Sequence, residues 1–354
     1  MKPGLIYGVL AAALIAMVAS TIVREPYRTP GEGRRERHER FSKVGNAGDE
    51  SAEAQTKAEQ YAQARTAPGV VLPGAYSAAF ASLAGLPATS GSWTEVTSRP
   101  YNADDPRYRD PFASNSGAGN GFAAGRIVGL ALGGGNIYIG GADGGVFRSA
   151  DDGKTWTPMT DGLPTLSVGD LRVSPDGALW LATGEANTGA TAFLGTGVYR
   201  LANPKAGVFS SSGRVGGNEL ESTFIGKLRF DGVGNVYAAT SRGVWRHSAS
   251  TASGAWQRVL YPVPDPIVNG VPRPDLQSAY NDICNDVAVQ PGSSGRRILV
   301  NCAWRDGAPY NGFYYSVDGG ATFARVNPNG GLNPQEVGRT TFAYSSDGSM
   351  VYAL

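Results

Sequence analysis

The stretch 149-SADDGKTW-156 decides the fold. It sets a serine, an aspartate two residues on, then glycine, threonine and tryptophan, and the spacing returns as 316-SVDGGATF-323. Both fit S-x-D-x-G-x-T-[W/F]. An Asp carboxylate can accept from backbone N–H groups two or three residues on, Gly supplies a positive φ, and Ser and Thr hydroxyls bridge the hairpin. Asp151 and Asp318 are therefore expected to fold turns rather than react, with the aromatic packing between neighbouring sheets. A third copy, 248-SASTASGAW-256, has lost the aspartate, as a structural corner can and a catalytic carboxylate could not.

Outward from these corners the chain repeats. Two strands paired across a Gly- or Asp-rich turn are read at 126-RIVGLALGGGNIYIGG-141, 171-LRVSPDGALWLAT-183, 228-LRFDGVGNVYAAT-240, 286-DVAVQPGSSGRRILVNCA-303 and 342-FAYSSDGSMVYAL-354. Third strands follow at 145-GVFRS-149, 197-GVYRL-201, 243-GVWRHS-248 and 312-GFYYS-316. Fourth strands are read at 155-TWTPMT-160, 255-AWQRVL-260 and 322-TFARVN-327, with 207-GVFSS-211 as a weaker copy. Four strands in a period of about 40–60 residues mark the blades of a β-propeller. The units run over about 125–164, 166–212, 224–260, 280–327 and 338–354. An α/β ring is excluded, because nothing helical fits between the strands. The segment 91-GSWTEVTS-98 matches the fourth strands without a third strand before it. It reads as an outer strand that closes a ring, so the expectation is an incomplete all-β propeller of the seven-bladed type, with a compact five-bladed ring as the alternative.

These residues resemble the BNR or Asp-box β-propeller superfamily, which includes sialidases, endo-xyloglucanases and sortilin-type receptors, over about residues 93–354. The boxes are Ser149, Asp151, Gly153, Thr155, Trp156 and Ser316, Asp318, Gly320, Thr322, Phe323. The resemblance implies that the boxes lie on the face away from the binding site. The leader (helices within 51–85, then 91-GSWTEVTS-98 and 125-GRI-127) is similar to that of exported bacterial BNR-repeat proteins described loosely as glycosyl hydrolases.

The N-terminus agrees with export. Lys2 precedes an apolar run from Leu5 to Val18, and Val18-Ala19-Ser20 offers a small-residue cleavage site. The run to Val23 is also long enough for an uncleaved membrane anchor. A polar linker (24–50) follows, then a helical leader (51–90) with one helix over 51–65 and another over 75–85 that puts Tyr76, Phe80 and Leu83 on one face. Charged residues are 17% and the formal net charge is +1, which gives no broad footprint for nucleic acid. Cys284 and Cys302 flank the turn 291-PGSSGR-296, so a hairpin there sets them opposite each other as a disulfide; two buried free thiols are the alternative.

Propeller sites are built by loops joining strand two to strand three and strand four to the next blade. On this register the candidate ligand-binding residues are Arg126, Asp143, Asn187, Arg242, Trp304, Arg305 and Tyr310, with Glu185 and Asp306 the best carboxylate pair. Aromatics, amides and carboxylates on a concave face suit a sugar. A hydrolase needs two carboxyl groups at about 5–5.5 or 6.5–9.5 Å. Arg126 weakly resembles the arginine of sialidase R-I-P motifs but lacks the Pro, and the remaining sialidase residues map onto no motif here. With His38 and His247 the only histidines, a His-based triad or zinc site is not supported. The Asp-rich 103-ADDPRYRDP-111 lacks EF-hand spacing. No cofactor or metal is expected. Two functions stand: a secreted or membrane-anchored module binding a glycan or cell-surface protein, and a glycoside hydrolase.

Overall fold

The computed structural model describes residues 72–87, 101–102, 122–123, 125–186, 193–276, 282–303, 308–326, 333 and 336–354. The apolar segment 5–23, the linker, the expected helix over 51–65, the Trp93 strand, Asn187, Trp304, Arg305 and Asp306 lie outside these residues.

Four antiparallel sheets of four strands follow one another in chain order. Sheet one is Ile127–Gly133, Asn136–Gly141, Gly145–Ser149 and Thr157–Pro158. Sheet two is Val168–Val173, Leu179–Thr183, Val198–Leu201 and Arg214–Val215. Sheet three is Ile225–Phe230, Asn235–Thr240, Gly243–Ser248 and Gln257–Leu260. Sheet four is Cys284–Val289, Ile298–Cys302, Gly312–Ser316 and Ala324–Val326. Phe342–Tyr344 and Val351–Ala353 take the first two places of a fifth. The first strand of each sheet packs on the first strand of the next, from sheet one through to sheet five. That succession of radial blades is a β-propeller.

Side-chain alternation fills both gaps beside each blade. In sheet two, Leu179 and Leu181 point into the core shared with sheet one, beside Tyr138, Val146 and Leu171. Trp180 and Ala182 point the other way, onto Ile225, Leu228, Val236 and Trp245. Every residue of Leu179–Thr183 is therefore buried, which is why the strand reads as an unbroken apolar run. Each such Leu stabilises the fold by roughly 1.5–3 kcal/mol.

The inner strands share a bulge at one rung, where Val128, Gly169, Gly226 and Asn285 are skipped in the pairing. A bulge re-aims the side chains that follow it. Asp170, next in line, accepts from Leu228 N at 2.9 Å, and Asp286 accepts from Phe342 N at 2.8 Å and the Thr341 hydroxyl at 2.7 Å. Arg229 stands between them, 3.8 Å from Asp170 and 3.5 Å from Asp286. Three blades are thus latched through one carboxylate–guanidinium–carboxylate row, its aspartates buried and Arg229 half-buried.

The corners are built alike. The Ser149 hydroxyl donates to Asp151 at 2.8 Å and accepts from Gly153 N at 2.8 Å, while Thr155 N and its hydroxyl donate to Asp151 at 2.9 and 2.7 Å. Ser316, Asp318, Gly320 and Thr322 repeat this network. The aspartate reaches four residues on, further than the two or three expected. Where the third corner lacks it, the Ser248 and Ser250 hydroxyls bond at 2.9 Å.

Two expectations are corrected. Gly207–Ser211 is not a strand: the fourth strand of sheet two is Arg214–Val215, and Phe209 N donates instead to Met159 O on sheet one at 2.8 Å. Trp156 is 39% exposed whereas Trp256 is buried at 4%, because Trp256 packs toward sheet two and no described sheet stands before sheet one. Leu83 of the 75–85 helix is exposed. That element is an α-helix over Ala75–Ser82 with a 3-10 turn over Leu83–Gly85. It is moored by polar contacts: Ser77 N donates to the buried Glu221 carboxylate at 2.8 Å and Ser222 to Leu72 O at 3.2 Å. No helix among the described residues is long and apolar enough to cross a membrane.

Candidate functional site

In an antiparallel blade the turns joining strands one to two and three to four share one end. The connections from two to three and from four to the next blade share the other. The Ser-Asp-Gly corners occupy the first end, so the loops of the second end are free to carry a site.

Glu185 follows the second strand of sheet two. Its N–H donates to Phe193 O at 3.0 Å, which closes the neck of the loop between them. The side chain is 1% exposed, and its carboxylate lies 3.3 Å from Arg126 Nη2, on a side chain that is 49% exposed. Arg126 stands at the entrance of sheet one. Arg339, at the entrance of sheet five, donates to Ala186 O at 3.0 Å across 153 residues of sequence. Burial pushes the Arg339 pKa below its ordinary value; the Glu185 charge opposes that shift, and the Arg126 charge adds to it.

Asp143 is exposed in the short loop of sheet one. The Ser167 hydroxyl donates to it at 3.0 Å, and the Ser167 carbonyl accepts from Gly184 N at 3.0 Å, tying this loop to the one bearing Glu185. Phe193, 52% exposed, meets this cluster through its backbone, its carbonyl accepting from Glu185 N at 3.0 Å and lying 3.5 Å from the Ser167 hydroxyl. Arg126, Asp143, Glu185 and Arg339 thus bring two guanidiniums and two carboxylates to the loop end of the blades, with an exposed aromatic residue on the loop that follows Glu185.

Arg242 and Tyr310, also singled out from sequence, lie in the strand-two-to-three connections of sheets three and four, at the same end of the blades. Arg242 is 2% exposed; its backbone bridges to Asp282 and its carbonyl accepts from Trp245 Nε1 at 3.0 Å. Tyr310 is half-buried, its carbonyl accepting from the Tyr314 hydroxyl at 2.6 Å. Cys284 and Cys302 sit directly opposite and form a disulfide across the first two strands of sheet four. The partner expected for Glu185, Asp306, lies outside the described residues. Among the described residues no cluster of three or more His, Cys, Asp or Glu could hold a metal ion.

Sequence reasoning missed Arg339 and Phe193. A signal for Arg339 was present: 338-GRT-340 enters sheet five as 125-GRI-127 enters sheet one. Phe193 carried none, since a lone aromatic in a Gly/Ala-rich loop is ordinary.

Neither a family model nor a curated protein matches the chain. Among solved structures it is similar to the GH74 enzyme of Niastella koreensis, at 21% identity and a TM-score of 0.41, over 65% of this chain and 33% of that one. It is similar to the GH74 xyloglucanase of Xanthomonas campestris, at 16% identity and 0.38, over 56% and 29%. It is also similar to PorZ, a surface component of the type-IX secretion system of Porphyromonas gingivalis, at 13% identity and 0.45, over 74% and 33%. The chain spans about a third of the length of these structures. At these identities no residue role is carried across.

Proposed function

We propose that the chain is an exported propeller of the Asp-box kind that binds carbohydrate at the cell surface through its loop end. The observation that carries this reading is the exposed aromatic of Phe193 on a residue whose carbonyl accepts from Glu185 N, next to the Arg126–Glu185 ion pair. An apolar ring face stacks on such an aromatic, and hydroxyls take the carboxylate and guanidinium groups. The apolar segment after Lys2 supports export.

Hydrolysis is the second reading, favoured by the tie that Ser167 makes between the loops of Asp143 and Glu185. Against it, Glu185 is buried and engaged by Arg126, an arrangement that suits a positioning role more than protonation of a leaving group. A glycan array on the full chain, followed by calorimetry on its best binder, tests both. Binding without product release, weakened about tenfold or more by Phe193→Ala at unchanged Tm, is the expected result. Release of reducing ends, abolished by Asp143→Asn, would make it a hydrolase. Binding untouched by either change would place the site elsewhere.

A further inference from the structure

The opposite end of the blades holds a second polar hollow. It measures about 560 Å³ and is lined by Gln290, Pro291, Gly292, Ser293, Arg296, Arg297 and Val317. These belong to the turn between the first two strands of sheet four and to its Ser-Asp-Gly corner. The volume suits a group of monosaccharide size.

The walls are held before any ligand arrives. Gln290 N donates to Arg297 O at 3.0 Å, Arg296 N to Ser293 O at 3.1 Å, and Gly319 N to Arg296 O at 2.9 Å. The Ser293 hydroxyl donates to Gln290 O at 2.7 Å, and Gln290 Nε2 to Gly348 O of sheet five at 2.7 Å. Ser294 is held at φ 52°, in the left-handed region that a residue other than glycine enters at a cost. The rim is therefore a fixed turn wedged at the seam between two blades.

Its charge is one-sided. Arg296 and Arg297 are exposed, and neither makes an ion pair with a carboxylate among the described residues. Among the described residues the Arg297 guanidinium makes a long hydrogen bond to Gln290 Oε1, at 3.5 Å. No lining residue is acidic. The nearby carboxylates are spent on their own turns: Asp318 accepts from Ser316 and Thr322, Asp347 from Ser345 and Ser349, and Asp231 from Val233 and Asn235. Two guanidiniums without a carboxylate partner, facing a preformed hollow, offer planar forks of donors to an oxyanion. Pro291 and the 56%-exposed Val317 supply an apolar lip on which a sugar ring can rest.

We propose that this hollow is an anion site that takes a sulfate, phosphate or carboxylate group, free or carried on an acidic sugar, with Arg296 and Arg297 as its ligands. It is independent of the loop-end site, at the other end of the blades. The test titrates the full chain with inorganic sulfate, inorganic phosphate and heparin, following backbone amides by NMR and heparin affinity by calorimetry. Shifts centred on Gly292, Ser293, Arg296, Arg297 and Val317 are expected. Arg296→Gln/Arg297→Gln should weaken heparin at least tenfold, while Lys154→Gln/Lys205→Gln, an equal loss of charge at exposed positions outside the hollow, leaves it within about twofold. Shifts with the inorganic ions identify a site for the free group, and shifts with heparin alone one that needs the sugar body. The proposal is overturned if no probe shifts these amides, if the shifts lie elsewhere, or if Lys154→Gln/Lys205→Gln weakens heparin as much as Arg296→Gln/Arg297→Gln. The amide map on the unaltered chain decides the matter even if a double variant fails to fold.

Discussion

Asp318 accepts a hydroxyl from each side of its turn and a backbone N–H from Thr322, and these bonds hold its carboxyl well below the usual carboxylate range. Asp151 is lowered by the same set of donors. Asp347, in the turn of sheet five, is brought to about 2 by Ser345 and Ser349. Each is a group whose folded pKa is depressed, so its contribution to stability is complete above the unfolded value of about 3.9 and is lost as pH falls through the folded value. We expect the Asp347 carboxyl carbon to titrate near 2 by NMR and those of Asp151 and Asp318 to lie below their unfolded value; a midpoint at or above 4 would remove these bonds from the account. These corners were legible in the sequence because every partner lies within six residues, so spacing alone fixes who can meet whom. The salt bridge of Arg126 with Glu185 and the reach of Arg339 to Ala186 join residues whose meeting depends on the curvature of the whole arc, which no local spacing records.

The inner strands of sheets two and three meet at Gly169. A Cβ there would stand 1.9 Å from Ile225 O and 2.6 Å from Gly184 O, both backbone atoms, so two strands would have to part. Gly169→Ala is expected to cost about 1–3 kcal/mol, the range of overpacking in a tight core, read as a lower urea midpoint at unchanged m. An unchanged midpoint would mean that the blades do not touch at this rung. The Cys284–Cys302 disulfide closes a loop of 18 residues, for which chain-entropy reasoning gives about 3 kcal/mol. Reducing this disulfide should lower stability by about that amount, whereas the same reductant should leave the stability of Cys284→Ser/Cys302→Ser unchanged. At this scale strand positions were readable wherever apolar runs alternate with Gly/Asp turns. The fourth strand of sheet two was not, because 207-GVFSS-211 has the better strand composition and is drawn instead to the edge of sheet one by the bond of Phe209 to Met159. Tertiary pairing overrode local preference there.

Across the whole molecule the sheets are joined in two ways. Apolar clusters fill the three gaps from sheet one to sheet four, centred on Leu171 and Leu181, on Trp180 and Leu228, and on Val287 and Val300. The Asp170–Arg229–Asp286 row adds a polar clasp through three blades. Burial pushes the Arg229 pKa down and the neighbouring Arg172 adds to that, while the two aspartates oppose both. The row is therefore better understood as fixing the register of one blade on the next than as a large net source of stability. The propeller class was visible from the repeat alone, whereas this clasp was not, because Asp170 and Asp286 recur only in alternate blades, with Lys227 at that position between them, and read in isolation as ordinary strand polars. The most direct test of the account is amide hydrogen exchange followed residue by residue, since opening energies rank the layers of a fold. We expect the slowest exchange in Leu179–Leu181, Val236–Ala239 and Ile298–Val300, which are enclosed by their neighbours, and the fastest at the outer positions Thr157 and Gln257. Outer strands as slow as these second strands would contradict a radial stack held together at its inner strands.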